Sequence, residues 1–374
     1  MRLPRKPNRL TIAFRADGGE NIGLGHIMRC LSLAKEFRRE GHKVVFLSKL
    51  TEGIERVRSE NFEVTRLPSV EFETEGFFYE ISSPLSEEVT EMNAFFKKNV
   101  IDILIVDTYN VSRNFFVGIK PYVSKLVYID DNNNESFPVD ILINGNITAE
   151  SLGYNKHNGN QLFLLGPQYN MIRDEFRHMP LRTIREKVSE VMITTGGSDP
   201  NNLTSKIIEI ILQQEEFRHL RFNVLVGSGF THYVSLIEMS VQYDNVFLYA
   251  NSAITERVRD ITYSPVSAIM LRSDLAISAG GSTLYEFAAS GTPVAAFIMA
   301  DNQEFLVDTL QTLGYLKSLG WYDNLESRQT IEILLGMMND FKGRKELSHK
   351  GQSLVDGKGT ERIVQRIIES LQVN

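Results

Sequence analysis

The chain has 374 residues, too many for one ordinary hydrophobic core and enough for two domains of usual size. Its 42% hydrophobic and 23% charged residues are those of a globular protein, and a net charge of −7 argues against a nucleic-acid or anionic-membrane partner, either of which would want a basic surface. An anionic ligand would have to be held locally, by main-chain amides and a few arginines.

The opening stretch, 1–9, is basic and contains Pro4 and Pro7, but no apolar segment of the kind a secretory signal carries follows it. No run approaches the roughly 20 apolar residues of a membrane span. The single cysteine, Cys30, rules out an internal disulfide and a cysteine-based zinc site. The expected compartment is the cytoplasm. An apolar run over 10–14 then predicts a strand, which passes into a loop carrying Gly18, Gly19, Gly23 and Gly25. Beyond it Ile27, Cys30, Leu31, Ala34 and Phe37 recur at helical spacing, with His26 as the first side chain of the helix. Unpaired amides at such a helix start suit an anion. An imidazole placed there also tends to stay neutral, the form a general base needs. Glycines alone are a weak signal and read equally well as a tight turn. The weight comes from Arg15-Ala16-Asp17 before them and Gly25-His26-Ile27-Met28-Arg29-Cys30 after.

Gly41 is placed to cap this helix, and 42–48 reads as the second strand. A polar helix over 52–58, a short strand over 62–67, an acidic aromatic loop over 71–78 and a helix over 86–98 lead to the clearest strand of this half, 101–107. Strands over 126–130 and 140–144 follow. Asp107, Asp130 and Asp131 thus stand at the carboxyl ends of strands, the edge where ligands bind in open α/β sheets. A metal site on Asp130 and Asp131 is conceivable, but turn chemistry favours a loop whose side chains bond their own backbone. Residues 161–176 give a short strand, a Gly-Pro turn and an amphipathic stretch with Arg173. The polar run 178–189 is the best interdomain connection, setting the domains at 1–177 and 178–374.

The second half repeats the alternation. A strand over 191–195 runs into Gly196-Gly197-Ser198-Asp199-Pro200 and a helix over 202–213; strands over 221–229 and 245–249 follow. A strand over 274–278 runs into Ala279-Gly280-Gly281-Ser282-Thr283, a helix over 284–289 and a strand over 294–299. Strands alternating with helices at this spacing predict βαβ units and a parallel sheet in each half. None of the three glycine turns is a P-loop or a clean dinucleotide fingerprint, and no serine-hydrolase elbow or zinc-protease motif occurs. Together they predict amide-lined turns directed toward a shared cleft. Glu286 lies four residues after Ser282, one helical turn on the same face, where a carboxylate could take both hydroxyls of a ribose; read alone it is a solvated or capping glutamate. Asn302, in Asp301-Asn302-Gln303, is a helix cap, a polar ligand contact, or both.

Six motifs in order now resemble a known family: Arg15-Ala16-Asp17; Gly25-His26-Ile27-Met28-Arg29-Cys30; Tyr169-Asn170-Met171-Ile172-Arg173-Asp174-Glu175-Phe176; Gly196-Gly197-Ser198-Asp199; Ile277-Ser278-Ala279-Gly280-Gly281-Ser282-Thr283-Leu284-Tyr285-Glu286; and Asp301-Asn302-Gln303-Glu304. They look like the UDP-sugar hydrolase of pseudaminic acid biosynthesis and its spore-coat polysaccharide relatives, over roughly residues 10–315. The resemblance implies an α/β fold of two Rossmann-like domains with parallel sheets facing a central cleft, the glycosyltransferase-B architecture, in which the last helix, over 360–371, often returns to the first domain. It implies metal-free, cofactor-free, inverting cleavage of UDP-2,4-diacetamido-2,4,6-trideoxy-β-L-altropyranose to UDP and free sugar. On it, His26 matches the base that activates water and Asp17 a residue beside it. Gly25, Arg173, Gly197, Asn302 and Gln303 match substrate contacts, and Gly281, Ser282, Thr283 and Glu286 the loop and helix start that hold diphosphate and ribose. The chain departs from compact members in the length of 51–98 and after 314, and in the loop at Thr108 and Tyr109. A glycosyltransferase of the same fold is the first alternative, a non-enzymatic nucleotide-sugar binding protein the second and a UDP-sugar 2-epimerase the third.

Overall fold

The computed structural model describes residues 9–19, 22–68, 85–250 and 260–371; the acidic aromatic stretch 71–78 and residues 1–8 lie outside them. The chain forms two compact units, one of residues 1–173 with 358–374 and one of residues 174–357.

In the first unit the elements run β1 (Thr11–Ala16), α1 (Gly25–Arg39), β2 (Lys43–Ser48), α2 (Thr51–Ser59), β3 (Glu63–Arg66), α3 (Leu85–Lys98), β4 (Ile101–Asp107), α4 (Arg113–Ile119), β5 (Val123–Ile129), β6 (Ile141–Asn144) and β7 (Leu162–Leu165). The seven described strands form one parallel sheet in the order β3-β2-β1-β4-β5-β6-β7. Parallel sheets carry elements on both faces, so a central strand reads as a continuous apolar run; in β4 every residue but Asp102 is buried. Helix α1 packs its stripe of Ile27, Cys30, Leu31, Ala34 and Phe37 into the core with Ile12 and Phe14. Phe14 and Phe46, paired across β1 and β2, stack with centroids 5.0 Å apart. Register carries the functional consequence. Ala16 pairs with Asp107, so the carboxyl end of β4 stands beside the start of the glycine loop. The strand order reverses between β1 and β4, and that is where ligands bind in such sheets.

The second unit runs β8 (Glu190–Thr194), α5 (Leu203–Leu212), β9 (Arg221–Leu225), α6 (Tyr233–Gln242), β10 (Val246–Ala250), β11 (Thr262–Tyr263), α7 (Val266–Arg272), β12 (Leu275–Ala279), α8 (Thr283–Ser290), β13 (Val294–Ile298), α9 (Asp301–Thr312), β14 (Lys317–Trp321), α10 (Arg328–Asn339) and α11 (Phe341–Leu354). Its described strands are again parallel, in the order β11-β10-β9-β8-β12-β13-β14. Thr194 pairs with Ser278, so the turns at Gly196 and Gly280 leave the sheet at the same level, at the second reversal of strand order. The final helix, α12 (Gly359–Ser370), belongs to the first unit, where Ile363, Val364 and Ile367 join the core around α1.

Several stretches differ from the sequence expectation, which has no counterpart for α6, β11, α7, β14, α10 and α11. Helix α4 has no sequence counterpart, because two turns with Phe115, Phe116 and Ile119 as the buried residues are too short for a readable period. The stretch after Gly166 folds as separate single turns, Pro167–Tyr169 and Asp174–Phe176, rather than as one amphipathic element. The polar run 178–189 lies within the second unit. Arg182 donates to the carbonyl of Met270 and to Thr292 Oγ1, and Arg344 donates to the carbonyl of Glu186 at 2.7 Å. No helix among the described residues is long and apolar enough to cross a membrane.

Candidate active site

Backbone contact fixes the loop after β1. The Gly53 N–H donates to the Gly18 carbonyl at 2.8 Å, and a Cβ on Gly53 would come within 2.8 Å of Gly18 N and O. Only glycine admits that approach, so the start of α2 holds the strand-to-helix turn in place. Helix α1 then begins at Gly25 and turns His26 toward the carboxyl end of β4.

His26 is 8% exposed, and its Nδ1 lies 2.6 Å from Asp107 Oδ1. Arg29, one turn along α1, grips the same carboxylate with two bonds, Nε to Oδ2 and Nη2 to Oδ1, each 2.7 Å. Arg29 Nη2 also lies 3.2 Å from Nδ1, but the shorter contact is to Asp107, and a carboxylate that already receives a guanidinium is an acceptor. With the neutral imidazole protonated at Nδ1 toward Asp107, the Nε2 lone pair is left available. Burial works to raise the Asp107 pKa, but Arg29 and then His26 outweigh it and hold the carboxyl well below the usual range. Cys30 donates its thiol to Asp107 Oδ2 at 3.4 Å; burial and then the Asp107 charge push that thiol well up, so it is a packed, protonated group rather than a nucleophile.

A second layer surrounds the pair. Arg29 Nη1 reaches Asp131 Oδ2 at 2.8 Å, and Asp131 also accepts from Asn146 Nδ2 and from the Tyr109 hydroxyl, both at 2.9 Å. The Tyr109 ring stands edge-on to His26, with centroids 4.7 Å apart and planes at 83°. Burial and then Asp131 raise the Tyr109 pKa, so the phenol is a donor. Asp130 accepts from the N–H groups of Asn132 and Asn133, both at 3.0 Å, as a turn-forming aspartate does.

Asp17 is fully buried in a different set of partners. It accepts from Arg15 Nη1 at 2.6 Å, from Lys49 N at 2.6 Å and from Ser48 Oγ at 3.1 Å. Glu88 of α3 receives both Arg15 Nε and Lys49 Nζ. Two positive and two negative side chains, each at most 4% exposed, therefore tie β1, β2 and α3 together beneath the glycine loop. The described carboxylate bonded to the His26 ring is Asp107.

In the second unit the predicted residues gather around β12 and α8. Gly281, Ser282 and Thr283 form the turn into α8, and Glu286 lies buried in that helix's first turn. Gly280 is packed closely, since a Cβ there would meet Val307 Cγ2 at 2.5 Å and Gln303 Cβ at 3.3 Å. A Cβ on Gly281 would meet nothing within 4 Å, so there is open space on that side of the turn. Gln303 accepts from Met299 N at 3.0 Å through its side-chain oxygen, which ties α9 to β13. Asn302 is exposed in the first turn of α9. Gly197 lies at the neighbouring strand end, where its carbonyl accepts from Gly229 N at 3.0 Å. Asp199 accepts from the N–H groups of Leu203 and Thr204, both at 2.8 Å, and so sets the start of α5. Gly25 opens α1, and Arg173, half-buried, ends the first segment of the first unit.

Sequence reading placed Asp107, Asp130 and Asp131 on the ligand edge but named none of them as site residues, and it quoted Arg29 in a motif and Tyr109 in a divergent loop without giving either a role. Signals existed for two of these. Arg29 is three residues from His26, hence on the same helical face, and Asp107 ends the strand most clearly read in its half.

No protein-family model matches the chain. The resemblance read from the motifs is borne out by curated relatives. The chain is 25% identical to the spore coat polysaccharide biosynthesis protein SpsG of Bacillus subtilis, over 94% of this chain and 96% of that protein. It is 24% identical to the UDP-2,4-diacetamido-2,4,6-trideoxy-beta-L-altropyranose hydrolase of Campylobacter jejuni, over 82% of this chain and 98% of that one. An uncharacterized protein of Methanocaldococcus jannaschii is 26% identical over 83% of this chain, a match spanning 59% of that longer protein. Among solved structures, the MurG of Acinetobacter baumannii matches 96% of the chain and 99% of its own, with a TM-score of 0.66 at 13% identity. A glycosyltransferase of Rickettsia africae matches 98% of the chain and 100% of its own, with a TM-score of 0.60 at 11% identity. The fold is therefore the expected one, two Rossmann-like domains of the glycosyltransferase-B class.

Proposed function

We propose that this chain is a nucleotide-sugar hydrolase that cleaves a UDP-linked 2,4-diacetamido-2,4,6-trideoxy sugar to UDP and the free sugar, as a step of nonulosonic acid biosynthesis. The observation that carries the proposal is the His26–Asp107 pair at 2.6 Å, which leaves Nε2 of a helix-start imidazole ready to accept a proton.

In the reaction, His26 Nε2 takes a proton from water as the water oxygen bonds to the anomeric carbon. The bond from that carbon to the diphosphate oxygen breaks, and its electron pair leaves with UDP. Asp107 holds the Nδ1 proton and stabilises the imidazolium as it forms, as carboxylates behind catalytic imidazoles do. The amides of Gly281, Ser282 and Thr283 and the positive end of α8 are assigned to the charge gathering on the diphosphate. Glu286 is assigned to the ribose, and Arg173, Asn302, Gln303, Gly25 and Gly197 to further substrate contacts. Asp17 acts by holding the loop that carries His26. Water attack opposite the leaving group inverts the anomeric centre, and no metal is needed where amides receive the charge.

The test is incubation of the full chain with the UDP-sugar, without acceptor and with a chelator present. Equimolar UDP and free sugar are expected, the first-formed anomer being the inverted one by NMR. His26→Ala should lower kcat by about 10²- to 10⁴-fold while leaving inhibition by UDP unchanged. Turnover that starts only when an acceptor is added would replace this reading with that of a glycosyltransferase, the activity named for the Rickettsia africae structure that shares the fold.

A further inference from the structure

Two holds act on the His26 ring. Asp107 takes its Nδ1, and the Tyr109 ring stands against its flank with the planes at 83°. Followed outward, both lead to Asp131. The Arg29 guanidinium that grips Asp107 through Nε and Nη2 presents its remaining nitrogen, Nη1, to both oxygens of Asp131, at 2.8 Å from Oδ2 and 3.0 Å from Oδ1. The Tyr109 hydroxyl donates to Asp131 Oδ2 at 2.9 Å.

Each route needs that carboxylate for a physical reason. A guanidinium is a rigid planar fork, so Arg29 held by Asp107 along one edge and by Asp131 at the other cannot rotate, and Asp107 is held with it. Tyr109 is 48% exposed, so packing alone leaves its side-chain torsions free, and the hydroxyl bond removes that freedom.

Asp131 is itself firmly placed, as a group that orients others must be. It lies in the turn where Asp130 accepts from Asn132 N and Asn133 N, and Asp130 N donates to the Ile143 carbonyl of β6 at 3.0 Å. From the end of β6, Asn146 Nδ2 reaches Asp131 Oδ1 at 2.9 Å, while Asn146 N donates to Asn144 Oδ1 at 2.9 Å. A carboxylate offers about four acceptor sites. The contacts to Arg29, Asn146 and Tyr109 fill them, so Asp131 is placed to orient its neighbours and not to take a proton from water.

We propose that Asp131 is a positioning residue. Through the Arg29 guanidinium on one route and the Tyr109 hydroxyl on the other, it fixes where the His26 ring sits and how it tilts. For its effect on rate the assignment rests on the proposed hydrolysis; for the geometry it does not.

Two measurements test it, one of them independent of turnover. In the full chain carrying isotope-labelled histidine and tyrosine, NMR should show cross-relaxation between the ring protons of His26 and Tyr109, assigned by its loss in His26→Gln. In Asp131→Ala that cross-relaxation should weaken or vanish. In steady-state assays Asp131→Ala should lower kcat by up to about 10²-fold, the scale of a misplacement of about 1 Å, with KM and inhibition by UDP unchanged. Tyr109→Phe cuts one route and should lose less. Added to Asp131→Ala it should lose nothing further, because the hydroxyl then has no carboxylate to hold it. Asp131→Asn keeps the shape and one accepting oxygen; it should fall between wild type and Asp131→Ala, and it carries the test if Asp131→Ala does not fold. Wild type that releases no UDP, beside a variant that loses the cross-relaxation, would refute the hydrolase and leave the positioning role standing. Cross-relaxation of wild-type strength in a folded variant at Asp131, an undiminished kcat there, or equal losses from Tyr109→Phe with and without Asp131 would overturn the role.

Discussion

Both sheets are parallel and reverse their strand order beside their first strand, with three strands on the near side of the reversal in the first unit and four in the second, yet their carboxyl edges are built from different material. In the first unit that edge is dense with charged side chains: His26, Arg29, Asp107 and Asp131 on one side of β1, and Arg15, Asp17, Lys49 and Glu88 on the other. In the second it is main chain, with glycine turns after β8 and β12 whose side-chain bonds, from Asp199 and Gln303, serve to hold backbone. Side chains can gain and lose protons, whereas amides can only donate. The first edge is thus suited to proton transfer and the second to receiving fixed negative charge. If that division is right, substitutions on the two edges should fail in different ways.

The largest effect is expected at Asp107. Replacing it by Asn puts an amide against His26 Nδ1 and leaves Arg29 without its bidentate partner. A carboxylate-to-amide change behind a catalytic imidazole costs up to about 10⁴-fold in kcat. A loss of about 10²- to 10⁴-fold with unchanged inhibition by UDP is expected. The change should also alter the acid side of the stability curve. Because the folded pKa is depressed, Asp107 contributes stability above the usual carboxylate pKa of about 4, and that stability is lost as pH falls toward the folded value. Urea unfolding of Asp107→Asn should therefore depend less steeply on pH below about 4 than wild type. Equal slopes would mean that the ion pair contributes nothing to folding.

Glu88 should show the reverse balance, stability before rate. Burial raises its pKa, but Arg15 and Lys49 outweigh burial and hold the carboxyl low. Glu88→Gln removes the carboxylate that Arg15 Nε and Lys49 Nζ both reach, and breaking a buried ion network from one side costs about 3–5 kcal/mol. Coupling is the sharper test. Lys49→Met combined with Glu88→Gln removes one charge of each sign, and should cost less than the sum of the two single changes. Strict additivity would show that α3 is not tied to the glycine loop through these charges.

This network also marks how far the sequence could be read. The strands at 101–107 and 294–299 and the helix that starts at His26 were legible because apolar period and glycine punctuation both lie within a short window. The partner of His26 was not, since the bond to Asp107 spans 81 positions and depends on Ala16 pairing with Asp107 in the sheet. Asp17 illustrates the same limit. Its place beside the motif was visible, but its partners Ser48, Lys49 and Arg15, and through them Glu88, come from elements whose adjacency only the strand order fixes. On the second edge the turns themselves were legible, because main-chain turns are written as glycine spacing.

That legibility can be tested within one turn. Gly280→Ala drives a methyl into Val307 and Gln303, and overpacking of this kind costs about 1–3 kcal/mol. Gly281→Ala meets open space and should stay within about 0.5 kcal/mol of wild type. UDP titration should separate them further. Gly281→Ala should lose UDP affinity without losing stability, because its methyl projects where the proposal puts phosphate. Unaltered UDP affinity in a stable Gly281→Ala would remove this turn from the site.

The smallest effect is expected at Asp199, where a side chain serves the main chain. Its two oxygens take the N–H groups of Leu203 and Thr204 at the start of α5, and losing a helix cap costs about 0.5–2 kcal/mol. Asp199→Ala should lie in that range by urea unfolding. Asp199→Asn, which keeps one accepting oxygen, should lose about half as much, because one of the two amides stays satisfied. Neither change should alter kcat by as much as His26→Ala, since Asp199 positions a backbone and moves no proton. A loss of rate comparable to that of His26→Ala, in a variant that remains folded, would show that the second edge takes part in proton transfer and would dissolve the division between the two sheets.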